Sequence, residues 1–132
     1  MKILIVEDEA MVALSLKLLL QMHGHEIIGM SDDVASSIAA ADANLPDLAF
    51  VDIQLARGAS GLDVAAELRK RGIICIFLTG NPPRPRPDLA LGCIPKPYTD
   101  EALAGAVAAA KAVIDGEAAP IAPLGLELYS ET

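Results

Sequence analysis

Short apolar runs alternate with longer stretches of helical periodicity along most of the chain. Lys2–Val6 is apolar at alternate and intervening positions alike after its first residue, the pattern of a strand buried on both faces. Residues 10–22 carry Leu16, Leu19 and Leu20 at helical spacing and stop at Gly24. Glu26–Met30 is a weaker strand. An acid of the Asp32-Asp33 pair caps a helix predicted over residues 33–43, which Asn44 and Pro46 end. Leu48–Val51 predicts a third strand finishing at Asp52, Ser60 caps a helix over Gly61–Arg71, and Ile73–Leu78 is the strongest strand signal. Gly92–Pro95 is a short apolar stretch before Lys96. Thr99 then caps a last helix with a predicted buried stripe of Leu103, Val107, Ala110 and Ile114.

Strands and helices alternating through short links predict an α/β fold with a parallel sheet covered on both faces. Ligands of such sheets bind at the carboxyl ends of the strands. That rule singles out Glu7 and Asp8 after the first strand, Asp52 after the third, Thr79 after the fourth and Lys96 after the fifth.

Composition narrows the class. The 132 residues suffice for one compact domain, and a composition 53% hydrophobic but only 3% aromatic implies a core of aliphatic side chains and alanine. The longest purely apolar run, Ile73–Leu78, is too short to cross a bilayer, and Met1-Lys2 leads straight into a strand rather than a secretory leader, so no membrane and a cytoplasmic location are expected. A net charge of −8 argues against nucleic acid as the main partner. Cys75 and Cys93 lie in apolar stretches and are expected as buried free thiols; His23 and His25 are expected at the surface rather than as ligands.

The five selected positions fit one chemistry. Carboxylates gathered at one sheet edge repel by roughly 1–4 kcal/mol per close pair. A hard divalent cation such as Mg²⁺ removes that penalty. A carboxylate attacking phosphorus needs the incoming dianion neutralised, which a metal and Lys96 would do, while Thr79 offers a hydroxyl donor and Gly80 leaves space. Taken singly, each has a plainer explanation: Asp52 as an Asx turn, Glu7 and Asp8 as helix-start acids, Thr79 as a turn residue, Lys96 as a solvated one. Only their joint placement favours a site.

Glu7-Asp8-Glu9, Val51-Asp52-Ile53, Leu78-Thr79-Gly80 and Lys96-Pro97-Tyr98, each at a predicted strand end, resemble the receiver domain of two-component response regulators over about residues 1–115. The resemblance implies a flavodoxin-like, doubly wound five-stranded sheet of order 2-1-3-4-5, with a receiver over residues 1–116 and a tail over 117–132. It also implies that Asp52 accepts a phosphoryl group from a histidine kinase or histidine phosphotransfer protein. Asp8, Asp52 and the backbone carbonyl of Gln54 would ligate Mg²⁺, Glu7 would act through a water, and Lys96 and Thr79 would respond to the phosphoryl group. Lys96-Pro97 resembles the family's cis-proline bond. The expected role is switching rather than enzymatic, with a possible homodimer.

Three features depart from the family pattern. Residues 80–91 include four prolines between Pro82 and Pro87, which exclude helix interior, so the family's fourth helix is expected to be missing, disordered or reduced to a turn near Asp88–Leu91. Most receivers place an aromatic where Cys93 stands; its absence, with Phe77-Leu78-Thr79-Gly80, resembles a subclass bearing a Phe-Ala-Thr-Gly motif. The loop Ala56–Gly61 lacks the usual proline and is one residue longer than usual, a change that could alter Mg²⁺ access while leaving the Gln54 carbonyl available. The tail is expected as a flexible end, with a packing strap or an added strand in a dimer as alternatives. Two rival functions remain: a pseudo-receiver that binds partners without phosphorylation, and an aspartyl-nucleophile phosphohydrolase, against which Gln54 stands where a general acid is needed.

Overall fold

The computed structural model describes residues 1–55 and 58–130. Its strands are β1 (Lys2–Val6), β2 (Glu26–Ser31), β3 (Leu48–Val51), β4 (Ile74–Thr79), β5 (Gly92–Pro95) and β6 (Glu127–Leu128). The helices are α1 (Ala10–Met22), α2 (Val34–Ala43), α3 (Gly61–Lys70) and α4 (Asp100–Ile114). The strands described form one sheet of order β2-β1-β3-β4-β5-β6, parallel throughout except for the last pair.

Local chemistry accounts for the starts of α2, α3 and α4, while α1 begins at Glu9 without a side-chain cap. Asp33 accepts from the Ser36 N–H, Ser60 from Leu62 and Thr99 from Ala102, each satisfying an N–H that the first turn leaves without a partner. Against one face of the sheet, α2 and α3 bring Ala41, Val64, Ala65 and Leu68 onto Val6, Val51 and Phe77. Against the other, α1 and α4 bring Leu16, Leu20, Leu103 and Ala106 onto Ile5, Phe50 and Ile94. A fully buried Leu, Ile or Phe contributes about 1.5–3 kcal/mol by leaving water. The flavodoxin-like arrangement therefore rests on two aliphatic layers around a sheet whose central strands, β3 and β4, have no exposed residue.

The predicted stripe of α4 is only partly right. Leu103 and Ala110 are buried, but Ile114 is 52% exposed and the remaining buried positions are alanines: 102, 106, 109 and 112. Small side chains let α4 lie close to the sheet, which a reading that ranks large residues first does not foresee.

Two findings concern the region after β4, one as expected and one not. Between Thr79 and Gly92 the chain forms no helix; a single turn closes where the Leu89 and Ala90 N–H groups donate to the Arg86 carbonyl at 2.9 and 3.0 Å. That agrees with the proline argument. The tail is not the expected flexible end: residues 127–128 pair antiparallel with β5, and the Tyr129 N–H donates to the Leu91 carbonyl at 2.9 Å. A sixth strand of this same chain thus covers the outer edge of β5. Leu89, Ala90 and Tyr129 pack with Cys75, Phe77 and Cys93, covering the part of the sheet that the missing helix would have covered. Both cysteines are buried and unpaired, and burial pushes the Cys75 thiol up to about 12 and the Cys93 thiol up to about 11.

Candidate functional site

The carboxyl ends of β1, β3 and β5 meet because these strands lie close together in the sheet and run the same way. Val6 pairs with Val51 and also with Ser31, so the next residues, Glu7 and Asp52, emerge side by side. Backbone bonds hold them there: the Glu7 N–H donates to Ser31 at 2.9 Å and the Asp52 N–H to Val6 at 2.8 Å. The Lys96 N–H donates to the Thr79 carbonyl at 2.8 Å, carrying the lysine one step past β5. The Lys96-Pro97 peptide is cis.

Carboxylate oxygens of Glu7, Asp8 and Asp52 all lie within 4.8 Å of one another. Lys96 Nζ donates to Glu7 Oε1 at 2.5 Å and to Asp52 Oδ2 at 3.0 Å, with Glu9 Oε1 at 4.0 Å. Glu7 and Asp52 are 6% and 5% exposed, whereas Asp8 is more open to solvent. One ammonium therefore serves three close carboxylates. Burial pushes the Glu7 carboxyl up to about 7, the Lys96 hydrogen bond opposing this and Asp52 adding to it. Burial works against the Lys96 charge, but its bonds to Glu7 and Asp52 outweigh that and hold it above the ordinary lysine value. The donor set suits a hard cation: oxygen ligands only, clustered, short of positive charge and open on the Asp8 side.

Gln54 sits beside this cluster, its N–H donating to Asp52 Oδ1 at 3.1 Å and its backbone bridging to Ser60. Gly61 explains why α3 can start so near. A Cβ at that position would run into the Asp52 carbonyl, so only glycine allows the helix to pass there. Thr79 is fully buried, and its hydroxyl accepts from the Asn81 N–H at 3.2 Å rather than touching a carboxylate. Of the positions selected from the sequence, the structure gathers the carboxylates of Glu7, Asp8 and Asp52 within 4.8 Å, joins Lys96 to Glu7 and Asp52, places Gln54 against Asp52, and leaves Thr79 at the neighbouring strand end. The predicted change of metal access through the 56–61 loop falls partly on residues 56 and 57, outside the described residues. His23 is exposed as expected, while His25 is half-buried with Nδ1 3.1 Å from the N-terminal amine.

Sequence reasoning missed the glycines that admit close backbone approach and the tail tyrosine. Spacing carries no signal for either, because each depends on a segment distant in the chain. Among the described residues no helix is long and apolar enough to cross a membrane.

Comparison with known proteins agrees with this geometry. The family model of the response regulator receiver domain matches residues 3–108. The phyllosphere-induced regulator PhyR of Methylorubrum extorquens is 38% identical over 103 residues, covering 74% of this chain and 38% of that protein. The transcriptional regulatory protein PdtaR of Mycobacterium tuberculosis is 32% identical over 77 residues, 58% of this chain and 37% of that protein. The chain thus spans about two fifths of the length of these relatives. Among solved structures, the receiver domain of PhyR from Erythrobacter litoralis superposes with a TM-score of 0.74 at 26% identity, covering 92% of this chain and 95% of that one. A receiver domain of a modulated diguanylate cyclase from Desulfovibrio desulfuricans gives 0.72 at 27% identity, covering 80% and 89%. A family match over most of its length, joined to an acidic cluster bridged by a lysine at the carboxyl ends of a parallel sheet, makes this chain a member of the response regulator receiver family.

Proposed function

We propose that the chain is a working phospho-acceptor: Asp52 takes a phosphoryl group from a histidine kinase or histidine phosphotransfer protein, and the modified domain changes its partner binding. The observation that carries this is the grouping of Glu7, Asp8 and Asp52 within 4.8 Å, with Lys96 bridging Glu7 and Asp52. An Asp52 carboxylate oxygen would attack phosphorus, forming a P–O bond as the P–N bond to the donor imidazole breaks and the imidazole leaves with a proton. Lys96 holds Asp52 in place and provides positive charge for the arriving phosphoryl oxygens. Asp8, Asp52 and the Gln54 carbonyl would hold Mg²⁺, with Glu7 acting through a water. When bound, the metal would supply charge neutralisation for the phosphoryl group. Thr79 would exchange its bond to Asn81 for one to the phosphoryl group. A phosphorylated Asp52 carries about two negative charges in place of one, enough to bias the neighbouring strand ends. The setting would be cytoplasmic.

The experiment is incubation with a small phosphodonor in Mg²⁺ or in chelator, followed by intact mass. A hydroxylamine-labile phosphoryl adduct that needs Mg²⁺ and is lost in Asp52→Asn supports the proposal. No adduct under any condition, with Mg²⁺ binding absent, would leave the pseudo-receiver function in its place.

A solved variant of PhyR from Bartonella quintana is an anti-anti-sigma factor. At 22% identity that likeness speaks for the fold alone. A solved PhyR named as a stress response regulator, 30% identical with 80% of this chain and 43% of that one covered, suggests a stress regulator as the whole-protein setting for this domain.

A further inference from the structure

At the amino ends of β4 and β5, the opposite end of the strands from the acidic cluster, a cavity of about 270 Å³ opens to solvent. It lies between the end of α3, the turn at residues 86–90, the end of α4 and Tyr129. The space stays open because short residues meet there: Gly72 follows α3, and Pro87 and Ala90 belong to a single turn. Ile73, Leu91, Val113 and Tyr129 give it apolar walls. Val113 is 46% exposed although apolar, so its wall is open to an occupant. The Tyr129 wall is fixed by close backbone approach. A Cβ on Gly92 would meet the Glu127 carbonyl, and one on Gly105 would lie 2.5 and 2.6 Å from the Pro123 ring. An apolar protein cavity of roughly 150 Å³ takes up benzene, so this volume has room for a small apolar body.

Arg69 is the one charged residue among the described lining residues. Its guanidinium donates from Nη1 to the Pro87 carbonyl at 3.5 Å, a long bond, and pairs with no carboxylate among the described residues. The neighbouring cations are already engaged. Lys70 and Arg71 pair with Glu67, Arg71 pairs also with Asp42, and Arg86 holds both oxygens of Asp88 at 2.9 and 3.0 Å. In a chain with eighteen acidic residues against ten basic ones, a guanidinium without an acid beside an apolar cavity is the unusual arrangement. Its charge reaches the cavity floor, where it opposes the effect of burial on the Cys75 thiol. A guanidinium has five N–H donors, and those not in use form a fork that matches a carboxylate.

We infer that this cavity binds a small apolar monocarboxylate, its carboxylate on Arg69 and its aliphatic or aromatic body against Ile73, Leu91, Val113 and Tyr129. Apolar walls with a polar group that fixes orientation are the usual make-up of a small-molecule site. An amine of the same body would meet the guanidinium as a like charge. A small dianion such as phosphate would gain nothing from the walls. The inference does not rest on phosphorylation of Asp52, which lies at the other end of the sheet.

The test is a titration of the full, isotope-labelled chain with octanoate and with phenylacetate, followed by amide NMR, with octylamine and acetate as controls for charge and for size. At least one of the two acids should saturate at millimolar concentration or below and shift the Ile74, Cys75, Leu91 and Val113 amides. Its Kd should be at least tenfold below those of octylamine and acetate. Arg69→Met keeps a side chain of similar reach without the charge; it should weaken that acid at least tenfold and leave octylamine no weaker. Val113→Glu, at an exposed position, sets a carboxylate at the mouth and should weaken the acid several-fold. No saturation by either acid would overturn the inference. So would equal affinity for octanoate and octylamine, or shifts centred on another surface such as the exposed Leu14 and Leu18 of α1. A folded Arg69→Met chain that binds the acid as tightly as the wild type would overturn it too.

Discussion

In metal-free protein, Glu7→Gln should raise stability at alkaline pH and abolish one segment of its pH dependence. Burial and the Asp52 charge raise the Glu7 carboxyl from 4.5 to about 7 despite Lys96. Between those values the native state holds a proton that the unfolded state has released. Stability therefore falls as pH rises from 4.5 to 7 and levels off above that. Each pH unit of the difference is worth about 1.4 kcal/mol, so the penalty at pH 8 is on the order of 3 kcal/mol. Glutamine keeps the shape and an oxygen acceptor for Lys96 without the ionisation cost. The variant should match the wild type near pH 4.5 and exceed it by up to ~3 kcal/mol at pH 8. Urea unfolding in chelator across pH 4.5 to 8 measures this, and the difference between the two chains removes other groups, including His25, whose pKa burial lowers. If the two stability curves run parallel over that range, the account of the site as short of positive charge is wrong. Mg²⁺ should shrink the variant's advantage, since the cation relieves the same repulsion.

Lys96→Met removes the side chain that donates to both Glu7 and Asp52, and should lower stability at pH 8 by about 1–3 kcal/mol in chelator, with Mg²⁺ restoring part of it. Gly61→Ala pushes a methyl group into the Asp52 carbonyl and should cost about 1–3 kcal/mol in urea unfolding and weaken Mg²⁺ binding, although alanine is the better helix former. Ser60→Ala removes the cap on Leu62 and should cost about 1 kcal/mol by the same assay, with Mg²⁺ affinity unchanged. Phe77→Ala, in the middle of β4 at 0% exposure, should cost about 3–5 kcal/mol.

What the sequence determined by itself follows from periodicity and local chemistry. Apolar runs of strand length between capped amphipathic segments require buried parallel strands with helices on both faces. The strand ends then name Glu7, Asp8, Asp52 and Lys96, because a carboxyl end is a position along the chain. The prolines of 82–87 exclude a helix on the same local grounds. Tertiary structure alone decided the rest. That one ammonium faces several carboxylates, and that Glu7 is forced toward neutrality, depends on distances across three strands. The alanine face of α4 and the close approaches at Gly61, Gly92 and Gly105 depend on which distant backbone arrives there. Tyr129 fills the gap left by a missing helix only because the tail returns to the edge of β5. Local patterns report what one segment prefers; they hold no record of a partner more than thirty residues away, and packing is made of such partners.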